Sequence, residues 1–529
     1  MTAKVDENRR TVLGRIADAA STFPRHFLVA AMLITVAAGF FGVPVAKDLC
    51  ACGFEDPAAE SSRAAQLLTE RFGQGDSQLV VAVTGTQDYR GEAARRVGEQ
   101  IVDLLKRSPS VATVTSAWTA PGDAAATLVS RDGRTGLIVA GITGSPNEIQ
   151  HRTKDLTQAL PPDRDGVTVR AGGAAMVDLQ ITEQSQRDLL LMESLAIPLS
   201  FAVLVWVFGG LLAAALPVAV GGMAILGAMA VLRGVTLFTD VSIFALNLSA
   251  ALGLALAIDY TLLMISRYRD ELADGADRAL AVVTMMKTSG RTVLFSATIV
   301  ALSMSVMVLF PMHFLKSFAY AGVATVAFAA LAALLVTPAA ITLLGDRLDR
   351  RGSHARQRPV QDQPLYRWTM LVMRRALPLG MAVIALLVLL GAPFAGVKWG
   401  FPDDRVLPAD ASAHQVGDQL RQDFPGTSAT AVTVVLPDVS GLSGADLAAY
   451  RAALDQVSEV SAVTPPTIVG GSAMLTLHST APLFSQRSDT QLDSLHDVVA
   501  PGGREVLLTG TAQANRDSVA AITSRLPLV

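Results

Sequence analysis

Charged residues, aromatic residues and cysteines are all scarce in this sequence. Asp, Glu, Lys and Arg make up 17% of its 529 residues, Phe, Trp and Tyr make up 5%, and there are two Cys. Two Cys cannot form a disulfide framework, and a net charge of −3 provides no basic surface for nucleic acid. The sequence contains no G-x-x-x-x-G-K-[ST] motif, so nothing in it supports direct drive by ATP.

Apolar residues are abundant, at 51% of the chain, and the mean hydropathy is +0.42. These values argue against a soluble enzyme and against a disordered scaffold. A membrane-spanning helix needs about 20 mostly apolar residues, because the hydrocarbon core is about 30 Å thick. Seven segments meet that length: 27–46, 189–209, 211–232, 241–265, 291–310, 318–344 and 377–397.

The first of these segments has a positive N-terminal flank and could also be a signal peptide. It is long for the apolar region of a signal peptide, and no clear A-x-A cleavage site follows it. The residues before Cys50 also make a poor lipobox. We therefore predict a retained membrane span at 27–46.

The distribution of Lys and Arg predicts the orientation, because cytoplasmic loops are enriched in these residues. The loop 345–376 holds eight Arg, whereas Arg233 and Lys316 are the only basic residues of the two short loops on the other side. We therefore expect a multi-pass membrane protein with a cytoplasmic N-terminus. The predicted parts are a cytoplasmic N-terminus (1–26), the first span (27–46), a first outside domain (47–188), spans two to six (189–344), an Arg-rich cytoplasmic loop (345–376), the seventh span (377–397) and a second outside domain (398–529).

Both outside domains show the periodicity of mixed helices and strands. The first predicts helices at 57–72, 90–107 and 145–160 and strands at 78–83, 111–116, 125–130, 136–142 and 167–171. The second predicts helices at 410–422, 443–457 and 484–498 and strands at 430–436, 459–463, 472–478 and 505–509. The core order β-α-β-β-α-β is that of a split βαβ unit, the ferredoxin-like arrangement. The predicted fold class is a polytopic α-helical membrane protein with α+β extracytoplasmic domains.

The two outside domains also match in their residues. Gly53-Phe54-Glu55-Asp56 corresponds to Gly400-Phe401-Pro402-Asp403, and Asp178 corresponds to Asp517. An internal repeat of spans and outside domains is a recurrent design of transporters. Because Ile197-Pro198 of span two corresponds to Leu526-Pro527, we expect five further spans beyond this chain, absent through truncation, a split reading frame or the choice of expressed segment.

Span four contains the one plainly intramembrane charge, Asp259. Such carboxylates are costly in hydrocarbon and mostly functional, often as proton relays. Small residues nearby, Gly253, Ala255 and Ala257, are expected to let another helix pack close to the relay. The alternative is a protonated Asp that serves packing, held by neighbouring Ser or by backbone carbonyls.

Several motifs resemble those of the MmpL family (mycobacterial membrane protein large) of RND transporters. They are Gly253-Leu254-Ala255-Leu256-Ala257-Ile258-Asp259-Tyr260, Ser266 to Leu272, Gly53-Phe54-Glu55-Asp56-Pro57, Glu193 to Pro198, Ser289 to Ser296 and Leu407-Pro408. The resemblance runs through the whole chain and corresponds to roughly the first two-thirds of a typical member. It implies an RND-type bundle with porter subdomains outside the membrane.

The resemblance further implies a proton-driven exporter of lipids or other hydrophobic molecules, with Asp259 and Tyr260 in the proton relay. Ser296 resembles a family serine near that relay, although a Ser in a span often bonds its own i−4 carbonyl instead. Glu193 is a possible substrate gate or an ordinary interfacial residue. Family members carry a second Asp-Tyr pair on span ten, which is one of the five spans expected beyond this chain. A separate polypeptide could supply those spans.

Other functions remain open at this stage. One is a non-transporting half-protein or an accessory or sensor protein, and another is efflux of drugs or siderophores. An enzyme has little support, because the outside domains show no Ser-His-Asp, Cys-His or paired-carboxylate pattern. We expect no cofactor or metal, and we expect Cys50 and Cys52 to be two ordinary thiols, because no His or Cys cluster accompanies them.

Overall fold

The computed structural model describes residues 12–75, 77–345, 364–397, 400–424 and 430–528. Residues 346–363 hold five of the eight arginines of the predicted cytoplasmic loop, and that part of the prediction lies outside the described residues. The same is true of Lys4, Arg9 and Arg10 at the N-terminus.

The first part of the chain contains six helices and four strands within its described residues. The helices are α1 (Val12–Thr22), α2 (Pro24–Gly42), α3 (Glu60–Phe72), α4 (Glu92–Arg107), α5 (Gly122–Ala126) and α6 (Pro146–Gln158). The strands are β1 (Ser77–Thr84), β2 (Val111–Ser116), β3 (Thr135–Ile142) and β4 (Thr168–Gly172). A short 3-10 helix, Val43–Lys47, continues α2.

Long apolar helices follow. They are α7 (Ala174–Phe208), α8 (Leu211–Thr236), α9 (Phe244–Ala273), α10 (Arg278–Ser305), α11 (His313–Leu344) and, after the short helix α12 (Pro364–Arg374), α13 (Ala376–Gly391). Among the described residues, seven helical segments are long and apolar enough to cross a membrane: Pro24–Lys47, Ala174–Phe208, Leu211–Thr236, Phe244–Ala273, Arg278–Leu309, His313–Leu344 and Ala376–Phe394. The protein is therefore a polytopic helical membrane protein, as the sequence predicted.

The bundle is built around α11, which packs against α2, α8, α9 and α10. Most of the apolar stretch of α11 is buried, and its contact faces are rich in alanine, which allows close approach between helices. By contrast, α13 has no buried residue and contacts its chain neighbour α12.

The last part of the chain forms the second sheet domain. Its helices are α14 (Ser412–Asp423), α15 (Gly444–Asp455), α16 (Gln486–His496) and α17 (Thr511–Thr523). Its strands are β5 (Val432–Leu436), β6 (Val460–Val463), β7 (Thr467–Val469), β8 (Ser472–Ser479) and β9 (Leu507–Thr509). The sequence did not predict β7, which pairs with β8 across the Gly470-Gly471 turn.

The two sheets share one strand order. The first is ordered β2-β3-β1-β4 and the second β6-β8-β5-β9, with β7 also paired to β8, and the paired strands are antiparallel. The first strand of each domain lies inside its sheet: β1 lies between β3 and β4, and β5 lies between β8 and β9. The equivalence of the two domains therefore extends from their residues to their topology.

Apolar side chains along the strands point alternately to the two faces of each sheet. Both faces are therefore apolar, and both are covered by other elements. On β1, Leu79 and Val81 pack against α4 and α6, whereas Val80 and Ala82 point to the opposite face. That opposite face is covered by Val416 of α14, a helix of the second repeat. A non-local helix therefore completes the first sheet domain.

The exchange is reciprocal. Helix α3 belongs to the first repeat by sequence, yet its Ala64 and Leu68 pack on the second sheet with Val435 and Leu507. At its N-terminus, the Ser61 N–H donates to Asp517 Oδ2 at 2.9 Å. The two sheet domains are therefore interlocked by a pair of exchanged helices.

Two predictions from the sequence were wrong. Residues 125–130 were expected to form a strand, but Gly122–Ala126 is a short helix and Val129 makes only an isolated bridge to Gly136. Three consecutive alanines favour a helical turn, and Pro121 precedes its first residue. Cys50 and Cys52 are joined in a disulfide rather than being two thiols. Their Cα atoms are 5.2 Å apart, within the usual range for a disulfide.

The contact between α3 and the second sheet includes an ion pair, Glu60 with His496, at 3.0 Å. Partial burial tends to raise the pKa of Glu60, but hydrogen bonds from His496 and the Leu508 N–H outweigh it and leave that pKa below its ordinary value. The hydrogen bond to Glu60 raises the pKa of His496. The pair thus favours the charged form of both residues.

We expect this contact to be most stable between about pH 4.5 and 6.5. The stabilisation that Glu60 contributes is complete at pH values above the pKa of Glu60 in the unfolded chain, and it is lost as the pH falls through the lower pKa of the folded state. The stabilisation that His496 contributes is complete at pH values below the pKa of His496 in the unfolded chain, and it is lost as the pH rises through the higher pKa of the folded state. The protection factor of the Leu508 amide, which is the intrinsic exchange rate at each pH divided by the observed rate, should therefore be highest in this window. The change in the free energy of opening should be less than about 1 kcal/mol, because the pair is partly exposed. Glu60→Gln should flatten the profile, and an unchanged profile would contradict this assignment.

Candidate functional site

A cavity of about 680 Å³ opens on the side of the bundle where α7, α9 and α10 meet. It is lined mainly by apolar side chains, with Asp259 and Tyr260 of α9 and Ser296 of α10 among the polar residues. The structure therefore brings together the three residues that the sequence assigned to a proton relay. They are gathered because α9 and α10 pack against each other.

Asp259 lies on an exposed stripe of α9. Ala255 and Ala251, one and two turns before it, are exposed on the same stripe. Ala255 was predicted to pack against another helix near the relay; it is exposed in the part of the chain that the structure describes, so this stays a prediction. Asp259 therefore faces the cavity rather than a neighbouring helix.

Gly253 and Ala257 occupy the opposite side of α9 and are both buried. A Cβ atom at Gly253 would lie 2.9 Å from the Ile225 side chain and 3.2 Å from the Thr325 side chain. Only glycine leaves room for this approach of α8 and α11. These two small residues fix the buried face of α9 and so turn Asp259 toward the cavity.

Tyr260 is 4% exposed, and its phenol oxygen is buried. The hydroxyl of Ser296 lies close to it, but the two groups do not complete a hydrogen bond of good geometry. A buried hydroxyl without a partner is costly, because its desolvation is not compensated. This pair is therefore able to accept a partner, such as a carboxyl group or a water molecule, without losing an existing bond.

A basic group closes the cavity at one end. The Arg269 guanidinium donates to the Phe208 carbonyl at 3.2 Å, and it lies 5.5 Å from the centre of the Phe208 ring. A cation at this position stabilises the C-terminus of α7, where the last carbonyl groups have no hydrogen-bond donor within the helix. In the sequence, Arg269 belongs to the motif from Ser266 to Leu272, and no role at the end of α7 was predicted for it.

Glu193 does not join this site. It is partly exposed on α7, 14 residues before Val207, which lines the cavity. That separation corresponds to about 21 Å along a helix. A role for Glu193 would therefore belong to a different region from Asp259. Among the described residues, no group of three or more His, Cys, Asp or Glu is arranged to hold a metal ion.

Comparisons with known proteins agree with this architecture. The trehalose monomycolate exporter MmpL3 of Mycolicibacterium smegmatis is 28% identical over 96% of this chain and 55% of its own length. The mycolic acid-containing lipids exporter MmpL11 of the same organism is 30% identical over 42% of this chain and 24% of its own length. A putative membrane protein of Streptomyces coelicolor is 31% identical over 74% of this chain and 55% of its own length.

The chain spans about half the length of the curated relatives that it matches most fully. The model of the MMPL family matches residues 53–391, from the segment that precedes α3 to the end of α13. This region contains the cavity and the three residues that were predicted to form a proton relay. The chain belongs to the MMPL family.

Proposed function

We propose that this chain is part of an exporter that uses a proton gradient to move lipids or other hydrophobic molecules across the plasma membrane. The observation that carries the proposal is the cavity in which Asp259 lies beside Tyr260 and Ser296. A carboxyl group in a membrane bundle, next to hydroxyls without completed bonds, is suited to taking up and releasing protons. A lipid substrate is supported by two relatives, which are named as exporters of trehalose monomycolate and of mycolic acid-containing lipids.

In this proposal the two sheet domains are split βαβ porter subdomains outside the membrane. Their shared strand order and antiparallel pairing support the ferredoxin-like arrangement. The basic N-terminal segment and the Arg-rich segment between α11 and α13 then lie in the cytoplasm. Glu193, on α7 between the first sheet domain and the cavity, is placed to meet a substrate that enters from the membrane.

We infer that a further set of membrane helices packs on the open stripe of α9. Ala251, Ala255 and Asp259 are exposed there, and a bare carboxylate facing lipid would be costly. By resemblance to the family, that set carries a second Asp-Tyr pair opposite Asp259. It can be supplied by a separate polypeptide, and the complete relay then lies between the two sets.

A vesicle assay tests the proposal. Inverted membrane vesicles that contain the chain together with the further set of helices are given an imposed pH gradient and a fluorescent glycolipid as the probe. We expect transfer of the probe to fall by about tenfold or more when a protonophore collapses the gradient, because the driving force is removed. Transfer should be unaffected when ATP is absent and the gradient is imposed. Undiminished transfer without a gradient would contradict proton drive.

A further inference from the structure

A short segment between the 3-10 helix that extends α2 and the start of α3 is bound to the ends of two other membrane helices. This segment, residues 49–54, is called the strap. Residues 49–51 are buried, with exposed fractions of 2% or less. The Cys50 N–H donates to the Val241 carbonyl at 3.3 Å, and the Ile243 N–H donates to the Cys50 carbonyl at 2.9 Å. The strap is therefore paired by its backbone with the chain that enters α9.

The strap is also bound to the first turn of α11. The Phe314 N–H donates to the Gly53 carbonyl at 2.9 Å. Gly53 has a φ of +87°, and a Cβ atom there would lie 2.9 Å from the Cβ of His313. The entrance to α9 is joined to the same turn, because the Ser242 N–H donates to Ser317 Oγ at 3.1 Å. The strap and the starts of α9 and α11 thus form one hydrogen-bonded unit.

Phe54, the last residue of the strap, contacts aromatic rings on three sides. Its ring centre lies 4.8 Å from that of Phe314 on α11, 6.1 Å from Phe244 on α9 and 6.2 Å from Phe401. Phe54 and Phe401 occupy equivalent positions of the internal repeat. The contact between them therefore joins equivalent positions of the two repeats.

Beyond the strap, the chain continues into α3, which is embedded in the second sheet domain. Leu68 packs with Val435 and Leu507, and the Glu60 carboxylate accepts the Leu508 N–H at 2.7 Å. The strap thus has the membrane bundle at one end and the second sheet at the other. The first sheet has its own direct connection, since β4 leads into α7.

We propose that the strap is the mechanical link by which a change of protonation at Asp259 moves the second sheet domain, a proposal that rests on the proton relay proposed above. Asp259 lies 15 residues beyond Phe244, about 22 Å along a continuous helix. A shift of α9 relative to its neighbours displaces the strap, because their backbone bonds and ring contacts must move together. The first repeat's bundle thus acts on both sheets, through α7 on the first and through the strap on the second.

Hydrogen exchange of the full chain in lipid nanodiscs tests this link. Asp259→Asn mimics the protonated carboxyl. We expect this substitution to change exchange rates in α9, and to change those in α3 and β9 by about threefold or more through the link. In a Phe54→Ala background, the response of α3 and β9 should vanish while that of α9 remains.

Phe318→Ala is the matched control, because the Phe318 ring contacts Phe314 on its own helix at 4.6 Å and lies outside the strap. The full response of α3 should survive in this variant. Phe54→Leu keeps an apolar side chain for the case that Phe54→Ala does not fold, and it should at least halve the response. A full response of α3 in both Phe54 variants overturns the link, as does a response confined to α9 in the unmodified background. No response even in α9 refutes the relay itself, and with it the proposed function.

Discussion

Asp259→Asn is expected to reduce gradient-dependent export to about 1% of the wild-type rate or less, because loss of a positioned proton-transferring group typically costs 10²-fold to 10⁴-fold. Asparagine has nearly the same shape as aspartate, but its side-chain amide does not take up and release a proton as a carboxyl group does. Folding should be unaffected, since Asp259 faces the cavity and the substitution removes a charge from the membrane. The measurement is the initial rate of probe transfer in vesicles with an imposed pH gradient.

Asp274→Asn is the matched control for this prediction. Asp274 follows the C-terminus of the same helix, is exposed and does not line the cavity. Its substitution should leave the rate within about twofold of wild type, as surface changes away from a site usually do. If Asp259→Asn exported at the normal rate, Asp259 would have no part in the coupling, and the relay would have to be sought elsewhere in the chain.

The membrane helices could be predicted from the sequence because their signal is local. A run of apolar residues long enough to cross hydrocarbon has few other uses, and each of the seven predicted segments overlaps an apolar helix of the structure. Strands with strong alternation were also found, such as β1 and β3, whose ends differ from the prediction by one residue. The Gly-Gly pair before β8 is a hairpin signal that would have predicted β7.

The exchange of α3 and α14 between the sheets could not be predicted in this way. Each helix has an apolar face, but the sequence of the helix does not indicate which of the two equivalent sheets this face covers. That choice depends on the path of residues 49–59 and 400–411, which is a non-local property. The exposure of Ala255 was missed for a related reason, because small residues on a helix indicate a close contact without identifying the side on which the partner lies.

Part of the candidate site was predictable and part was not. The charge of Asp259 within an apolar run identified the carboxyl group from sequence alone. Its proximity to Ser296 depends on how α9 packs on α10, and the sequence supplied this only through family resemblance. The role of Arg269 at the end of α7 required the three-dimensional contact with Phe208.

The exchanged helices give the sheet domains an unusual sensitivity to substitution at one position. Gly172 is the last residue of β4, and α14 of the second repeat passes directly over it. A Cβ atom at Gly172 would lie 2.5 Å from both Cβ and Cγ1 of Val416. Val416 is 1% exposed, so neither it nor the strand has free space into which to move.

Gly172→Ala should therefore destabilise the contact between α14 and the first sheet by about 1–3 kcal/mol, the usual range for overpacking of a close-packed interior. Limited proteolysis within α14 and hydrogen exchange at its amides should both accelerate. Because the clash involves the Cβ atom of Val416, Val416→Gly in the same chain should recover part of the loss, even though glycine costs about 0.5–1 kcal/mol within a helix. Gly444→Ala, where a new Cβ meets no atom within 4 Å, should leave the proteolysis of α14 unchanged. If Gly172→Ala also left α14 protected, the two repeats would not be held together by this exchange.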